Sequence, residues 1–246
     1  MEGWIRVRAL KDGAEAWDEV ALERDLRLVI NGRTIASVKL SPGYEREFAL
    51  GYCLGEGFVK SREAVKSIEV AEYEIRVLAD ESVLTAYERY ISSECLTGWR
   101  TRIKEESIRV ASEARFGAGE IFENMRRMQR ESELWRRTGG VHSAALVCGS
   151  TFLLVEDVSR HVAIDKIIGL AAERSIDFER SYILTSGRMP GDMVVKAARM
   201  GVPLIASRTA PIFSGILAAE RTGMTLVGFV RGKRMNIYTH SWRVER

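Results

Sequence analysis

The sequence has few of the residues that mark specialised protein classes. Its 246 residues include only three cysteines, three histidines and four prolines. An odd number of cysteines without close pair spacing argues against a disulfide framework. The histidines are scattered and no Cys-x-x-Cys pair occurs, so we expect no zinc or other metal site. The few prolines and the lack of a low-complexity run also leave no candidate for a long linker between domains.

Long apolar runs and a strong charge of one sign are also missing. Without a stretch of about 18 uncharged apolar residues, no transmembrane helix is predicted. The first residues, MEGWIRVRAL, lack the apolar core of a signal peptide, so we expect a cytoplasmic protein away from membranes. A net charge of +3 is too mild to indicate nucleic-acid binding, although it fits a local anion site.

Two common catalytic signatures are absent. A zinc deaminase would need His-x-Glu, but His142 is followed by Ser143 and Ala144. The Gly-x-Ser-x-Gly turn of serine hydrolases does not occur. Hydrolase or deaminase chemistry is therefore weakly supported.

The second half of the chain does contain a regular α/β pattern. After a hairpin at 143–148 and 151–155, predicted strands alternate with predicted helices of about a dozen residues. The strands are 182–185, 203–206, 225–230 and 235–238, and the helices are 117–136, 160–174, 192–200 and 211–222. This alternation predicts a three-layer α/β core with a mainly parallel sheet over residues 115–246.

Residues 1–114 are predicted to form a smaller, β-rich portion. A strand at 4–9, a hairpin at 25–40 and two short strands within 65–79 surround one helix at 45–58. The hairpin turns at Asn31-Gly32. Residues 80–112 are predicted as a loop with one short strand at 108–111.

Polar residues and an arginine follow each central strand of the predicted sheet. The three ends carry Ser186-Gly187-Arg188, Ser207-Arg208-Thr209 and Arg231. Ligands of such sheets lie at the carboxyl ends of the strands, where helix N-termini favour anions and arginine can bind phosphate through two nitrogens. Gly187 would allow a close approach to the backbone. The alternative is that the hydroxyls cap helices and the arginines are solvated.

The stretch from 138 to 166 holds two of the three histidines. Gly139-Gly140 is a joint that can present His142 to a ligand, although a single histidine is often structural. Arg160 and His161 fall in the first turn of a predicted helix, with Asp165 on the same face as His161. A cation there opposes the helix dipole, so Arg160 needs an anionic partner. Ligand phosphate and the neighbouring carboxylates, Glu156 and Asp157, are the candidates.

The three cysteines occupy different sequence environments. Cys53 lies in an apolar helix and Cys148 in a predicted strand, as expected for core thiols. Cys95 follows Ser92-Ser93-Glu94 in a polar segment, where a thiol can be reactive or merely exposed.

Several of these segments resemble motifs of the formate dehydrogenase accessory sulfurtransferases, the FdhD/NarQ family. TGGVHSAA at 138–145 is similar to the family's T-G-G-x-H-x-A-A. EDVSRHVAIDKIIG at 156–169 is similar to its E-D-V-G-R-H-N-A-x-D-K-x-x-G, with Ser159 and Val162 in place of Gly and Asn. The remaining matches are ALGYCLGEG at 49–57, SGR at 186–188, SRTAP at 207–211, GFVRG at 228–232 and NIY at 236–238. The resemblance spans nearly the whole chain.

This resemblance implies a cytidine deaminase-like core without zinc and a homodimer. It implies that a cysteine desulfurase loads a persulfide onto a loop cysteine, here Cys95. The sulfur then passes to a molybdenum or tungsten cofactor, a molybdopterin guanine dinucleotide, before insertion into formate dehydrogenase. GDP would mimic part of this cargo. The implied cofactor-binding residues are Gly139, Gly140, His142, Arg160, His161, Ser186, Gly187, Arg188, Arg208, Arg231 and Asn236.

The chain departs from the family at the expected carrier. The family usually has Cys-x-x-Cys, but Gly98 stands where the second cysteine would follow Cys95. In another register Thr97 aligns with the second cysteine and Cys95 lies off the motif. A single thiolate is sufficient to carry a persulfide, although it cannot form a disulfide within the loop. The alternative function is a cofactor-binding chaperone without sulfur chemistry.

Overall fold

The computed structural model describes residues 2–80, 88–91, 99–102 and 108–246, with 88–91 and 99–102 described by their backbone pairing. In this part of the chain the helices are α1 (Glu45–Glu56), α2 (Ala118–Glu131), α3 (Glu133–Thr138), α4 (Arg160–Glu173), α5 (Gly191–Arg199) and α6 (Phe213–Thr222). The first eight strands are β1 (Trp4–Lys11), β2 (Ala14–Ala21), β3 (Arg24–Ile30), β4 (Arg33–Leu40), β5 (Val65–Val70), β6 (Glu74–Ala79), β7 (Glu88–Ile91) and β8 (Trp99–Arg102). The others are β9 (Phe116–Gly117), β10 (His142–Cys148), β11 (Thr151–Asp157), β12 (Tyr182–Thr185), β13 (Leu204–Ser207), β14 (Thr225–Arg231), β15 (Arg234–Ile237) and β16 (Val244–Glu245).

The largest sheet is mixed, which corrects the prediction of a mainly parallel one. Its strand order is β11-β10-β12-β13-β14-β15. β12, β13 and β14 are parallel, whereas the other neighbours are antiparallel. The two outer pairs are hairpins with two-residue connections, and such short connections permit only antiparallel pairing. The α/β architecture of the second half is otherwise as predicted.

Helices cover both faces of this sheet. On one face α2 contributes Ile121, Met125 and Met128, which recur at helical spacing and pack on alternate sheet residues such as Ala145 and Leu184. The opposite face is covered by α4, whose residues from 161 to 171 are all buried. Because strand side chains alternate between faces, one sheet supplies both hydrophobic clusters.

Two glycines allow α1 and α4 to pack at close range. A Cβ atom added at Gly51 would lie 1.8 Å from the carbonyl oxygen of Asp165. A Cβ atom at Gly169 would lie 1.8 Å from the carbonyl oxygen of Glu47. Helix backbones therefore touch here, and α1 connects the N-terminal β-rich portion to the α/β core.

The N-terminal portion contains a four-stranded sheet, β4-β3-β6-β5, and the separate β1-β2 hairpin. The hairpin turn at Asn31-Gly32 is confirmed, with φ angles of 47° and 76°. Leu28 of β3, Leu50 of α1 and Ile164 of α4 belong to one hydrophobic cluster. The core is thus continuous from the N-terminal sheet to α4.

Three predictions of local structure were wrong. Residues 88–91 and 99–102 pair as antiparallel strands within the segment predicted as loop. Residues 108–111 are not a strand, because Val110 meets the end of α6, where its N–H donates to the carbonyl of Thr222 at 2.8 Å, rather than a sheet edge. The helix predicted at 117–136 is interrupted at Ser132, whose hydroxyl lies 2.6 Å from the carbonyl of Met128. No helix in the described ranges is long and apolar enough to cross a membrane.

Candidate functional site

A cavity of about 530 Å³ opens at the carboxyl ends of β12 and β13. It lies between these strand ends, the C-terminal part of α2, helix α3 and the start of β10. Its lining residues are Met128, Gln129, Ser132, Trp135, Gly139, Gly140, Val141, His142, Ser143, Ser186, Arg208, Thr209 and Arg231. The lining includes two arginines and a histidine and no carboxylate among the described residues. This composition favours an anionic ligand.

Hydroxyl groups at the strand ends shape the loops that surround the cavity. Ser207 donates its hydroxyl to the carbonyl of Gly187 at 2.7 Å and accepts the N–H of Thr209 at 2.9 Å. The N–H of Arg208 donates to the carbonyl of Thr185 at 3.1 Å. Ser207 is therefore structural, and its contacts fix the backbone that presents Arg208.

The two arginines of the cavity are held by uncharged groups. Nε of Arg231 donates to the carbonyl of Arg208 at 2.9 Å. When the Gln129 amide is oriented to satisfy both groups, its oxygen accepts from Nε and Nη1 of Arg208 at 2.6 and 3.1 Å. Within the described ranges neither guanidinium pairs with a carboxylate, so no described anion offsets their positive charge toward a ligand.

A β-bulge aims Arg231 toward the cavity. The register of β14 against β15 shifts between Gly228 and Arg231, and Phe229 adopts the left-handed region with φ of 54°. The N–H of Phe229 donates to the carbonyl of Thr209 at 3.0 Å. The bulge ties β14 to the loop after β13 and redirects the next side chains, as bulges near functional sites often do.

His142 and three serines form a hydrogen-bonded group on one wall. Nδ1 of His142 lies 3.3 Å from the hydroxyl of Ser186, which accepts the N–H of Ser143 at 2.9 Å. The hydroxyl of Ser143 lies 2.7 Å from that of Ser132. The group fixes the orientation of His142 and links α2, β10 and the end of β12.

The opposite wall is formed by α3 and the two glycines after it. Gly139 ends α3 in the left-handed conformation, with φ of 65°, and Gly140 donates its N–H to the hydroxyl of Thr138 at 3.1 Å. Trp135, which is 40% exposed, is the aromatic residue of the cavity lining. An aromatic face next to cations suits a ligand that carries both a planar ring and phosphate.

Six predicted ligand residues thus meet at one cavity. They are Gly139, Gly140, His142, Ser186, Arg208 and Arg231. Met128, Gln129, Ser132, Trp135, Val141, Ser143 and Thr209 also line it but were not predicted as ligand residues. The Arg-rich helix that ends just before the Gly-Gly pair was the available signal, since its last turns must lie beside that pair.

Arg160 and Gly187 lie next to the cavity, in direct contact with each other. A Cβ atom added at Gly187 would lie 2.8 Å from the Cβ atom of Arg160. The space above Gly187 is therefore filled by Arg160, whereas the neighbouring Ser186 lines the cavity. Arg188 and Asn236 are exposed and lie outside the lining, with Asn236 donating to the Tyr238 hydroxyl at 3.4 Å.

His161 is placed in the core rather than on the cavity wall. It is 1% exposed, and its Nε2 atom lies 3.1 Å from Oδ2 of Asp192 at the start of α5. Asp165, on the next turn of α4, binds Nζ of Lys196 at 2.6 and 2.8 Å. This face of α4 holds helices together.

The carboxylates before α4 have partners on other elements. Asp157 lies 2.8 Å from Nζ of Lys166, and both side chains are fully buried. Asp157 also accepts the N–H groups of Ser41 and Ser159 at 2.9 and 2.8 Å. Glu156 accepts the N–H groups of the first turn of α3. These carboxylates connect elements around the cavity.

Neither described cysteine lines the cavity. Cys53 is fully buried, and burial followed by the charge of Asp165 raises the pKa of its thiol to about 12. Cys148 is half-buried at the far end of β10, roughly 20 Å from His142 at the usual rise of a strand. Cys95, the predicted carrier, lies outside the described residues.

No group of three or more histidine, cysteine or carboxylate side chains is arranged for a metal ion in the described part of the chain. The charged side chains among the described lining residues, those of Arg208 and Arg231, are cations. Their arrangement suits an anionic ligand.

Comparison with known proteins identifies the family. Residues 21–245 match the sequence model of the FdhD/NarQ family. The chain is 45% identical to sulfur carrier protein FdhD of Methanothermobacter thermautotrophicus over 228 residues, which cover 92% of each chain. It is 34% identical to sulfur carrier protein FdhD of Wolinella succinogenes over 241 residues, which cover 94% of this chain and 84% of the relative.

A solved structure supports the same assignment. The crystal structure of a protein from Desulfotalea psychrophila, assigned as a formate dehydrogenase accessory protein, superposes with a TM-score of 0.82. The two chains are 29% identical, and the match covers 98% of each. The chain belongs to the FdhD/NarQ family.

Proposed function

We propose that this member of the FdhD/NarQ family is a sulfur carrier that serves formate dehydrogenase. A cysteine desulfurase would supply a persulfide, and the thiolate of Cys95 would attack its terminal sulfur. The desulfurase thiolate would leave, and the sulfur would remain on Cys95. The S–S bond of the Cys95 persulfide would then break, so that the terminal sulfur passes as sulfane sulfur to a molybdenum or tungsten guanine dinucleotide cofactor held as cargo and Cys95 leaves as a thiolate. The curated relatives, named as sulfur carriers, support the first part of this proposal.

The thiols themselves narrow the choice of carrier. A carrier must become a thiolate and must be accessible to a second protein. Cys53 meets neither condition, because it is buried and its thiol pKa is raised to about 12. Cys148 lies at the wrong end of β10 to deliver sulfur to the cavity. This leaves Cys95 as the proposed carrier.

The observation that carries the cargo site is a pair of arginines, in a cavity beside Trp135, that have no carboxylate partner among the residues the structure describes. Arg208 and Arg231 would bind the phosphates, and Trp135 would contact the guanine ring. His142, held by Ser186, would donate a hydrogen bond to a phosphate or ribose oxygen. A volume of about 530 Å³ fits a nucleotide-sized portion of the cargo.

We further infer a cytidine deaminase-like arrangement and a homodimer, as the family resemblance implies. The mixed sheet with α2 on one face and α4 on the other is consistent with that layering. We expect the transfer to take place in the cytoplasm, with formate dehydrogenase as the final acceptor of the cofactor.

Sulfur loading is the direct test of this function. The chain is incubated with a cysteine desulfurase and cysteine, and intact mass with peptide mapping follows the added sulfur. We expect one adduct of 32 Da, the mass of one sulfur atom, on Cys95, and none after Cys95→Ala. Cys148→Ala is the matched control and should load like the wild type, while Cys53 should stay unmodified in the folded protein.

Two results would contradict the carrier role. If the Cys95→Ala variant accepts as much sulfur as the wild type, another residue carries the sulfur. A wild-type chain that accepts no sulfur but binds GDP would favour the alternative, a cofactor-binding chaperone. The observation that favours this alternative is Gly98, which stands where the second cysteine of a Cys-x-x-Cys motif would follow Cys95.

A further inference from the structure

Helix α3 forms a wall of the cavity but has few means of stability of its own. It spans only Glu133–Thr138, and isolated helices of this length are not stable in water. Ser132, at its N-cap position, makes no capping hydrogen bond, because its hydroxyl contacts Met128 and Ser143 instead. The conformation of α3 must therefore be maintained by other elements.

The carboxylate of Glu156 supplies the missing cap from strand β11. Its Oε2 atom accepts the N–H of Leu134 at 2.9 Å, and its Oε1 atom accepts the N–H of Trp135 at 2.8 Å. Both N–H groups belong to the first turn, which has no intrahelical acceptors. A negative charge at a helix N-terminus also interacts favourably with the helix dipole. Glu156 thus binds the backbone of Trp135, a residue that lines the cavity.

The outer ion pair of α3 is weaker than this cap. On its outer side, Arg137 pairs with Glu19 of the β1-β2 hairpin at 2.9 Å. This pair is partly exposed, and solvent screens such pairs strongly. Glu156 is half-buried and its two bonds are charge-assisted, which makes them the stronger connection.

We propose that Glu156 is a positioning residue for the cargo, acting through α3 to hold Trp135 against the planar ring of a guanine nucleotide. This inference rests on the cargo site proposed above. Glu156 itself does not line the cavity, so its effect on binding must pass through α3.

The test measures GDP binding by calorimetry in a double-mutant cycle. Glu156→Gln keeps one acceptor but places an amide group against the second N–H. We expect it to weaken GDP binding by about tenfold, the size of one lost charge-assisted bond. Trp135→Ala should weaken binding as well. Adding Glu156→Gln to Trp135→Ala should cause no further loss, because both changes remove the same contact.

Hydrogen exchange of the unliganded chain provides a second readout. Peptides that cover residues 133–140 should exchange faster in Glu156→Gln, with no change in the sheet strands. Glu19→Gln, which breaks the outer contact of α3, is the matched control and should bind GDP like the wild type.

Each outcome decides the proposal. Wild-type affinity in Glu156→Gln, or fully additive losses in the double variant, would overturn it. A wild-type chain that binds no GDP would overturn the cargo site instead. In that case unchanged exchange at 133–140 in Glu156→Gln would show separately that Glu156 does not hold α3.

Discussion

Both the surroundings of α4 and the cavity wall contain cationic side chains, but the two sets differ in their partners. Around α4, the buried ammonium groups of Lys166 and Lys196 lie within 3.0 Å of carboxylates from other elements. On the cavity wall, the described hydrogen-bond partners of the Arg208 and Arg231 guanidinium groups are an amide and a carbonyl, and Arg231 also lies 5.9 Å from the centre of the Phe229 ring. The first set joins helices and strands, whereas the second has charge available for a ligand.

This difference separates residues that lie close together in sequence. The stretch from 138 to 166 contributes Gly139, Gly140 and His142 to the cavity but places His161 and Lys166 in the core. Substitutions in the two regions should therefore have different consequences. Those around α4 should lower stability, and those on the cavity wall should lower ligand affinity without unfolding the chain.

The largest effect on stability is expected for Lys166→Met. The change leaves the carboxylate of Asp157 buried without its cation, which typically costs about 3–5 kcal/mol. Urea unfolding would measure the loss. Lys39→Met, which removes a partly exposed lysine paired with Glu23 and Asp25, is the matched control and should change stability far less. Equal losses of stability in the two variants would contradict the view that the buried charges around α4 stabilise the fold more than exposed pairs do.

A smaller loss is expected for Gly169→Ala, which tests the packing that holds the α4 region together. The new methyl group would meet the carbonyl of Glu47, so α1 and α4 must separate, at a cost of about 1–3 kcal/mol. Gly119→Ala in α2 is the control, because nothing lies within 4 Å of its Cβ position. That variant should gain up to about 1 kcal/mol from helix propensity. A stabilised Gly169→Ala chain would mean that the helices do not touch at this point.

The smallest expected effect on stability is the pH-dependent contribution of Glu156, whose described hydrogen-bond partners are backbone N–H groups. Burial raises its pKa above the ordinary value, although the N–H groups of Trp135 and Leu134 oppose this shift and Glu133 adds to it. A raised pKa means that the folded chain binds the proton more tightly than the unfolded chain. Stability from this group is therefore present at low pH and lost as pH rises through the folded pKa.

Unfolding of the wild type and of Glu156→Gln across pH 4.5–8 would measure this contribution. The stability of the wild type relative to the variant should decrease as pH rises. A relative stability that increases with pH would show that hydrogen bonding outweighs burial at this carboxylate, so that it behaves like a paired charge.

Much of the site was predictable from local patterns. Arg208 and Arg231 follow strands whose apolar runs are clear, and parallel strands place such ends at one edge of the sheet. Gly139-Gly140 marks a helix end by its conformational freedom. These signals depend on residues that are neighbours in sequence. They can therefore be recognised without knowledge of the fold.

The features of the site and fold that the sequence did not predict depend on contacts between residues distant in sequence. Trp135 reaches the cavity because α3 is capped by Glu156, 21 positions away in sequence, and no periodicity reveals that bond. His161 is directed to the core by Asp192, which lies on another helix. The β1-β2 hairpin is a different case, because Asp12-Gly13 carries the same local turn signal as Asn31-Gly32 and makes this hairpin predictable from the sequence.

The central claim is that Arg208 and Arg231 bind the anionic part of the cargo. Titration calorimetry with GDP tests this claim most directly. The wild type, Arg208→Ala/Arg231→Ala and Arg27→Ala would be compared, since Arg27 is an arginine already paired with Glu74. We expect the double variant to bind at least roughly 100-fold more weakly, from two lost charge-assisted contacts, with an unchanged unfolding midpoint. Arg27→Ala should bind like the wild type. Equal GDP affinity in all three proteins would contradict the account.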